Sequence, residues 1–377
     1  MELKILRVKL SDGSYIPIMF NDHIPYYIVF KYSILGIKYK SYKSQYNYLL
    51  DIKKFIEFLH KKNINLEKEI LNNNPIEILH SINNLLSWKI TLKSRTKKTK
   101  KNSQNHLFNF DQFLINIHKF LVWCITNYCD SSYIEILNNI ISVNKLNIKR
   151  NSQYTSLKEN QIEQLYELIS HSNSLNPFIS NNRLRNYIIV KILIETGIRL
   201  SELLNLKTDD FIRDNGLVYL QIIERLNDSQ ETRKNKPLLK NDLGQRIVAV
   251  SPELYLLIDK YIIRFRKKNK SNSFLLTNYS NGKPLSKSSI SNLFKTLSQR
   301  LEFTITPHQF RHYFAERMLN FLLEKKGIDM DRAKDELRII CGWSLNSRMP
   351  NLYAKNYIAL LANQHNMDRI KTKYEDV

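Results

Sequence analysis

The spacing of apolar residues is the feature that most restricts what this chain can fold into. From about Tyr42 onward, apolar side chains recur at the period of an amphipathic helix. The first such run consists of Tyr46, Leu49, Leu50, Ile52, Phe55, Ile56 and Leu59. Similar spacing predicts helices at about 75–90, 108–128 and 133–141. The sequence therefore predicts a mostly helical region over residues 41–150.

The regions on either side of this helical stretch have different patterns. Residues 1–40 alternate polar and apolar side chains around the turn sequence SDG at 11–13, which predicts a short hairpin or an extended arm. Residues 147–156 are polar, basic and without periodicity, as expected of a linker between domains. Beyond this linker a helix is predicted from about Leu157, with strands at 217–224 and 246–250.

Five further helices are predicted beyond the linker, at about 184–194, from 251–253 onward, and at about 286–301, 307–324 and 331–341. Together with the two strands they predict a mostly α fold with a small antiparallel β-sheet. We expect three parts: an N-terminal arm or hairpin at 1–40, a helical domain at 41–150, and an α+β domain with a C-terminal tail at 151–377.

The charge of the chain indicates a polyanionic partner. Its 58 Lys and Arg residues outnumber its 35 Asp and Glu residues, which gives a formal net charge of +23. An AT-rich genome raises the lysine content, but it raises the glutamate content as well, so composition bias does not account for the imbalance. A chain this basic favours nucleic acid as its partner.

A dense basic run, KSRTKKTKK at 93–101, lies between two of the predicted helices. Such a run is usually a solvated loop. It is also suited to gripping DNA phosphates, and the two interpretations are compatible. It indicates backbone contact without base specificity. The candidate DNA-binding residues in it are Lys93, Arg95, Lys97, Lys98, Lys100 and Lys101.

Other sequence features narrow the class of protein. The three cysteines are too few for a disulfide framework and lack the spacing of a zinc site. We find no long apolar run or signal peptide, so we expect a soluble, intracellular protein. No P-loop motif and no clustered carboxylates are apparent, so we expect neither a nucleotide cofactor nor a catalytic metal.

Three short segments carry the residues suited to phosphate chemistry. In the first, residues 196–203 read TGIRLSEL. Gly197 is predicted to end one helix, and Arg199 to lie in the tight turn before the next. An arginine in such a turn is often a surface residue, but its planar guanidinium is also suited to clamping a phosphate bidentately.

In the second segment, residues 306–312 read TPHQFRH. Thr306 is a favourable helix cap and proline is favourable at the first helical position, so a helix begins here. His308 and Arg311 then lie on one face, three residues apart, close to the positive end of the helix dipole. An isolated pair of this kind is more often part of the surface. His312 lies four residues after His308, so helical geometry does not exclude it from the same face.

In the third segment, residues 341–343 read CGW and a tyrosine follows at position 353. A tyrosine near a C-terminus usually packs in a core or lies on the surface. Only its position relative to the other segments distinguishes Tyr353 from the other tyrosines, of which the chain has 21 in total.

The order of these three segments resembles the tyrosine recombinase, or phage integrase, family. Its members carry T-G-x-R-x-x-E-[LI], then H-x-x-R on a helix, then G-[HW] and a tyrosine shortly afterwards. The resemblance spans roughly residues 157–355. The helical region at 41–150 is similar to the core-binding domain of that family by pattern and position.

The resemblance implies a role for each matching residue. Arg199 and Arg311 would clamp the phosphate, with His308 as the histidine of H-x-x-R. Trp343 would donate its indole N–H to the phosphate, and Tyr353 would be the nucleophile.

The gap from Trp343 to Tyr353 is one residue longer than the usual family pattern. Tyr357 lies further still from Trp343, so Tyr353 is the better match to the family's nucleophile. Glu202 matches the acidic residue that supports the first arginine.

The family also uses a lysine in the hairpin before an R-x-[VI]-P-[LV] strand. Here that strand reads RIVAV at 246–250, with alanine in place of proline. Lys240 is most similar in position to this lysine and is the first candidate for the acid that protonates the leaving group. Lys236 and Lys234 remain alternatives.

As a member of this family, the chain would cleave and rejoin double-stranded DNA through a 3′-phosphotyrosine, without metal or ATP. The expected role is integration or excision of a mobile element by a homotetramer on paired sites in a bacterial cytoplasm, at the nucleoid when bound to DNA. Two alternatives remain, a type IB topoisomerase and a catalytically inactive DNA-binding protein.

Overall fold

The computed structural model describes residues 2–11, 15–94, 103–147, 156–225, 228–233, 237, 244–267 and 272–375. The chain forms two compact units, Met1–Ser152 and Gln153–Val377. No helix in the described ranges combines the length and the apolar character needed to cross a membrane.

The first unit begins with a three-stranded antiparallel sheet. Its strands are β1 (Leu3–Lys9), β2 (Tyr15–Asn21) and β3 (Ile24–Pro25), with β2 in the centre. In the β1–β2 hairpin Leu3 pairs with Asn21 and Lys9 with Tyr15. The buried side chains of Leu3 and Met19 join the same hydrophobic core as the helices that follow.

Seven helices complete the described part of the first unit. A π-helical turn (Tyr32–Gly36) extends α1, and a 3-10 turn (Ile82–Asn84) extends α4. The helices are α1 (Tyr27–Lys31), α2 (Tyr42–Lys61), α3 (Leu66–Leu71), α4 (Ile76–Ser81), α5 (Leu85–Ser94), α6 (Ser103–Tyr128) and α7 (Ser132–Asn144). The apolar stripe of α2 is buried, with Leu49, Ile52 and Phe55 fully inaccessible. The helical periodicity of this region therefore reflects one shared core.

Among its described residues, the second unit combines eight helices with a small sheet. The helices are α8 (Glu159–Ile169), α9 (Ser180–Thr196), α10 (Leu200–Asn205), α11 (Pro252–Arg264), α12 (Lys287–Leu301), α13 (Pro307–Asn320), α14 (Met330–Cys341) and α15 (Met349–Glu375). A π-helical turn, Phe321–Lys325, extends α13. The strands β4 (Phe211–Asp214), β5 (Leu217–Ile222) and β6 (Arg246–Val250) are antiparallel in that order, with Val218 paired to Val250.

Helix α9 is the central element of the second unit. Its residues Ile188, Ile189, Val190, Ile192 and Leu193 are all fully buried, so this stretch of the helix is covered on every side. It packs against α11 and α13 and against the sheet at β6. Since α9 ends beside Arg199, the buried helix gives that residue a rigid support.

A smaller cluster lies between α13, α14 and α15. It contains Leu319, Leu337 and Cys341, together with Trp343 and Tyr353. Two of the residues predicted from the sequence motifs are therefore part of a hydrophobic cluster.

The predicted fold class is confirmed: the chain is mostly helical, with two small antiparallel sheets. The sequence places β6 within its observed bounds, and α13 begins at the predicted residue.

Candidate active site

Arg199 lies in the tight turn between α9 and α10. The turn passes through Gly197, whose φ of 57° is in the left-handed region. A Cβ at this position would stand 2.4 Å from the ring of Phe314. Glycine is therefore required both by the backbone and by the space available. The Arg199 side chain that follows is only 16% exposed.

Glu202 and Gly342 hold Arg199 in one orientation. The Arg199 backbone N–H donates to Oε2 of Glu202 at 2.8 Å, and its Nη1 donates to Oε1 at 2.7 Å. The second guanidinium nitrogen, Nη2, donates to the carbonyl oxygen of Gly342 at 2.8 Å. Glu202 thus contacts Arg199 as its position in the motif predicts.

Arg246, at the start of β6, binds the same carboxylate. Its Nη2 donates to Oε2 of Glu202 at 2.9 Å, and its Nε donates to the carbonyl oxygen of Ile340 at 2.7 Å. Burial opposes ionisation of Glu202, but Arg246 and Arg199 outweigh it and hold the pKa of the carboxyl below its usual value. A Cβ on Gly342 would stand 2.5 Å from Nη1 of Arg246, so Arg246 fills the space beside this glycine.

Arg311 lies in the second turn of α13. Thr306 caps the helix by accepting from the backbone N–H of Gln309, as the sequence predicts. The guanidinium of Arg311 is buried and donates to the carbonyl oxygens of Gly197, at 2.8 Å, and Cys341. Burial lowers the pKa of Arg311 to about 10, so it stays cationic at neutral pH.

Trp343 connects Arg311 to Tyr353. The guanidinium carbon of Arg311 lies 5.2 Å from the centre of the indole ring. The Tyr353 ring stacks on the same indole, with 5.8 Å between the ring centroids and an angle of 14° between the ring planes. The order of the three groups is therefore cation, indole, phenol, and both contacts are favourable for an aromatic ring.

Tyr353 lies in the first turns of α15 and is 2% exposed. Its hydroxyl oxygen is 2.8 Å from Nδ1 of His312. Burial raises the pKa of the phenol. For His312, burial lowers the pKa to about 4, with His308 and Arg311 adding to the effect. Both partners are therefore uncharged at neutral pH.

His308 lies one helical turn before His312 on α13. The two imidazole rings are 4.2 Å apart between centroids and meet edge to face. His308 is exposed, whereas His312 is buried. The H-x-x-R face of the helix therefore reaches from solvent to the buried phenol.

Tyr357, the other tyrosine near the third motif, has a different environment. It is half-buried beside Glu324, and burial together with that carboxylate raises the pKa of its phenol. Tyr353 instead has the indole and imidazole neighbours described above. Of the two, Tyr353 belongs to the arginine-containing cluster. This cluster comprises Arg199, Glu202, Arg246, His308, Arg311, His312, Trp343 and Tyr353.

A family model described as the phage integrase family matches residues 155–356. This range is more than half of the chain and contains every residue of the cluster. The chain belongs to the phage integrase family. The resemblance carried by the three sequence motifs is thereby confirmed.

Curated relatives of this phage integrase family member are tyrosine recombinases. XerS of Streptococcus equi subsp. zooepidemicus is 25% identical over 321 residues, which cover 79% of this chain and 85% of XerS. XerA of Pyrococcus furiosus is 29% identical over 178 residues, or 46% of this chain and 50% of XerA. XerH of Campylobacter jejuni is 31% identical over 166 residues, 43% of this chain and 40% of XerH. The match therefore extends to most of XerS but to half or less of the other two.

The fold is also that of a solved integrase. A lambda integrase dimer, crystallised bound to a COC′ core site, has a TM-score of 0.52 with this chain at 14% identity. The match covers 86% of this chain and 75% of that one. At this identity the likeness concerns the fold alone.

The phage integrase fold brings together five of the six residues predicted to be catalytic. These are Arg199, His308, Arg311, Trp343 and Tyr353. The sixth, Lys240, lies outside the described residues, as do its alternatives Lys234 and Lys236.

The basic run is described only at its beginning. Lys93 is in the last turn of α5, and its side chain lies outside the described part of the structure. The other candidate DNA-binding residues, Arg95, Lys97, Lys98, Lys100 and Lys101, lie outside the described residues altogether.

The sequence motifs assign no role to two residues of the cluster. Arg246 is the first residue of the R-x-V strand and is therefore recognisable in the sequence. Nothing in the strand pattern indicates that its side chain reaches Glu202. His312 was recognised only as a second histidine on the His308 face. Its contact with Tyr353 joins residues 41 positions apart, which local spacing does not reveal.

Proposed function

We propose that this phage integrase family member is a site-specific DNA recombinase that integrates or excises a mobile element. Tyr353 attacks one phosphodiester, forms a 3′-phosphotyrosine and releases a 5′ hydroxyl, and a second strand later displaces the tyrosine. The bond energy stays in the phosphotyrosine, so rejoining requires no ATP.

One observation carries this proposal: the segment 341–343 connects both predicted clamps to the predicted nucleophile. The carbonyl of Cys341 accepts from Arg311, and the carbonyl of Gly342 accepts from Arg199. The next residue, Trp343, stacks on Tyr353. Two cations and a phenol are thus held by three consecutive residues, which is the arrangement that a phosphoryl transfer through tyrosine needs.

The charge balance of the cluster favours an anionic ligand. Its described contacts place three guanidinium groups, those of Arg199, Arg246 and Arg311, around the carboxylate of Glu202. Beyond burial, the nearby Arg199 and Arg246 add to the lowering of the Arg311 pKa. A phosphate placed against Arg199 and Arg311 would offset this repulsion, most strongly as charge builds on its non-bridging oxygens.

The remaining roles in the proposed reaction belong to Trp343, His308 and a lysine. The indole N–H of Trp343 is a donor to the phosphate oxygens, and the exposed His308 assists in the transfer of protons. Lys240 is the proposed acid for the 5′ oxygen, with Lys236 and Lys234 as its alternatives.

Access to Tyr353 is a requirement of this mechanism. A phenol that is 2% exposed does not meet a DNA phosphate without a movement of α15 or of the side chains around it. We propose that binding to double-stranded DNA, as a homotetramer on paired sites, accompanies this movement. The lysines and arginine of the 93–101 run would contribute contacts to the DNA backbone.

The proposal is tested with nicked duplexes that trap the covalent product. A pool of nicked duplexes with a randomised core is incubated with the full chain, and DNA that stays bound to protein in SDS is recovered and sequenced. The enriched duplex, in intact form, is then placed twice on one plasmid. A recombinase yields an adduct on the nicked form and exchanged products from the plasmid.

The alternative functions predict different products. Relaxation of a supercoiled plasmid that carries no selected site, without exchange between two sites, would favour a type IB topoisomerase. Sequence-selective binding with no SDS-resistant adduct would favour an inactive DNA-binding protein. Either result would contradict the recombinase assignment.

A further inference from the structure

The proposed reaction needs an acceptor for the proton of the Tyr353 hydroxyl. A phenol attacks phosphorus as it loses this proton, and a base helps only within hydrogen-bond distance. Burial raises the pKa of this phenol, which increases the need for a base. The lysines proposed for the leaving group do not meet this need, because their proton goes to the 5′ oxygen.

His312 is in position to accept that proton. It follows Arg311 directly on α13, is buried, and has its Nδ1 at 2.8 Å from the Tyr353 hydroxyl oxygen. The two rings are 5.9 Å apart between centroids and tilted by 49°. The contact joins α13 to α15, so it depends on the packing of the hydrophobic cluster that contains Tyr353.

The charge state of His312 suits this task. Burial, His308 and Arg311 hold its pKa near 4, so the ring is neutral and has one nitrogen available as an acceptor. With its proton on Nε2, the ring accepts from the phenol through Nδ1. The titratable groups around the pair are His308, Arg311 and Glu316 on α13, and Cys341 on α14.

DNA binding would make this imidazole a stronger base. A phosphate anion against Arg311 offsets the positive charge that disfavours a protonated His312. For the base to act, the movement that exposes Tyr353 to the phosphate must keep Nδ1 of His312 within hydrogen-bond distance of the phenol. The proton then moves as the oxygen–phosphorus bond forms, so a free phenolate never has to exist.

We propose that His312 is a catalytic residue, the general base that accepts the Tyr353 proton at Nδ1 during cleavage. In this step the phenolic O–H bond breaks, the tyrosine oxygen bonds to phosphorus, and the bond from phosphorus to the 5′ oxygen breaks. The 5′ oxygen leaves with the electron pair and takes a proton from the acid. On rejoining, the proton on His312 returns to the tyrosine. This inference rests on the proposed function.

The test separates a base from a residue that merely positions the phenol. His312→Asn keeps a hydrogen-bonding group near the place of Nδ1 but does not take up a proton. Its single-turnover cleavage of the enriched nicked duplex is expected to fall by about 10²- to 10⁴-fold with DNA affinity unchanged. Its residual rate should rise with pH, as hydroxide replaces the base, over a range where the wild-type rate is flat. His365→Asn, an exposed change on α15, is the matched control and should cleave normally.

A second variant and a measurement on the wild-type protein extend the test. Added imidazole should partly restore cleavage by His312→Ala, whose missing ring leaves room for it. The wild-type protein, on a duplex with a sulfur-bridged leaving group, should cleave more slowly in D₂O, because the phenolic proton is then the one in transfer. This second measurement applies even where the variants do not fold.

The outcomes distinguish the two levels of the proposal. If the wild-type protein forms the adduct and His312→Asn cleaves at a near-normal rate, the base role alone is overturned. If His312→Asn cleaves slowly with a flat pH profile and imidazole does not restore cleavage by His312→Ala, His312 has a positioning role instead. An absent D₂O effect on the sulfur-bridged duplex would also contradict the base. No adduct from the wild-type protein would overturn the proposed function and the base role together.

Discussion

The guanidinium of Arg199 donates to the carbonyl oxygen of Gly342, a residue 143 positions further along the chain. This contact joins the turn after α9 to the turn after α14. The neighbouring carbonyl of Cys341 accepts from Arg311 on α13. The two proposed phosphate clamps are therefore oriented by adjacent peptide groups, and their relative position depends on one short segment of backbone.

Replacing either clamp with lysine tests this geometry. Arg199→Lys and Arg311→Lys retain the charge but lose the planar fork that reaches a carbonyl and a phosphate together. We expect adduct formation to fall by orders of magnitude while DNA affinity changes far less. Arg332→Lys, on the exposed face of α14, is the matched control and should cleave normally. Near-normal cleavage by Arg199→Lys would contradict the clamp.

Removal of the Tyr353 hydroxyl tests the nucleophile. Tyr353→Phe should abolish the adduct and leave DNA binding nearly intact, since only the attacking oxygen is removed. Its stability should fall by about 1 kcal/mol, because the buried hydrogen bond to His312 is no longer made. Tyr357→Phe, one helical turn further on, should retain the adduct. The opposite pattern, adduct with Tyr353→Phe and none with Tyr357→Phe, would move the nucleophile to Tyr357.

Gly342 and Gly216 offer a matched pair of glycines with left-handed backbone. Their φ angles are 60° and 78°, but a Cβ meets Arg246 at 2.5 Å in the first and nothing within 4 Å in the second. Gly216→Ala should cost about 1–2 kcal/mol of unfolding free energy and leave cleavage unchanged. Gly342→Ala should cost more in urea unfolding and slow cleavage, because it displaces Arg246 from Glu202. If the two changes affect cleavage equally, the contact of Arg246 with Glu202 is not required for cleavage.

Much of the site could be predicted because its signals are local. Thr306 and Pro307 define the start of α13, and Gly197 ends α9, since capping depends on a few adjacent residues. The strand at β6 likewise follows from its own alternation. These local features place Arg199 and Arg311 at the positions where the structure has them.

The parts that the sequence did not predict depend on packing between distant segments. Arg246 reaches Glu202 over 44 positions, and His312 reaches Tyr353 over 41. The sequence pattern predicts no helix in the C-terminal tail, whereas Met349–Glu375 form the helix α15. Most of its residues beyond Tyr357 are exposed, so it lacks the regular buried stripe from which helices are recognised.

The basic run at 93–101 is tested through salt dependence. If it grips phosphates, neutralising Lys97, Lys98, Lys100 and Lys101 should weaken binding to all duplexes alike. The slope of log affinity against log salt should become shallower by about 0.9 for each DNA phosphate that the variant no longer neutralises. Arginine at the same four positions retains the charge and is the control. An unchanged slope for the neutral variant would mean that the run is a solvated loop.

Three lysines, Lys240, Lys236 and Lys234, are candidates for the acid that protonates the leaving 5′ oxygen. Lys240 precedes β6, and a flexible amine there is suited to reach the departing oxygen. A duplex with sulfur in place of that oxygen separates the candidates, because a thiolate leaves without being protonated. Lys240→Ala should be slow on ordinary DNA and largely rescued on the sulfur-bridged duplex. Arg311→Ala should not be rescued, because it stabilises charge rather than supplying a proton. Rescue of Lys236→Ala or Lys234→Ala, with none for Lys240→Ala, would move the acid to that lysine and leave the arginine clamp and Tyr353 unchanged.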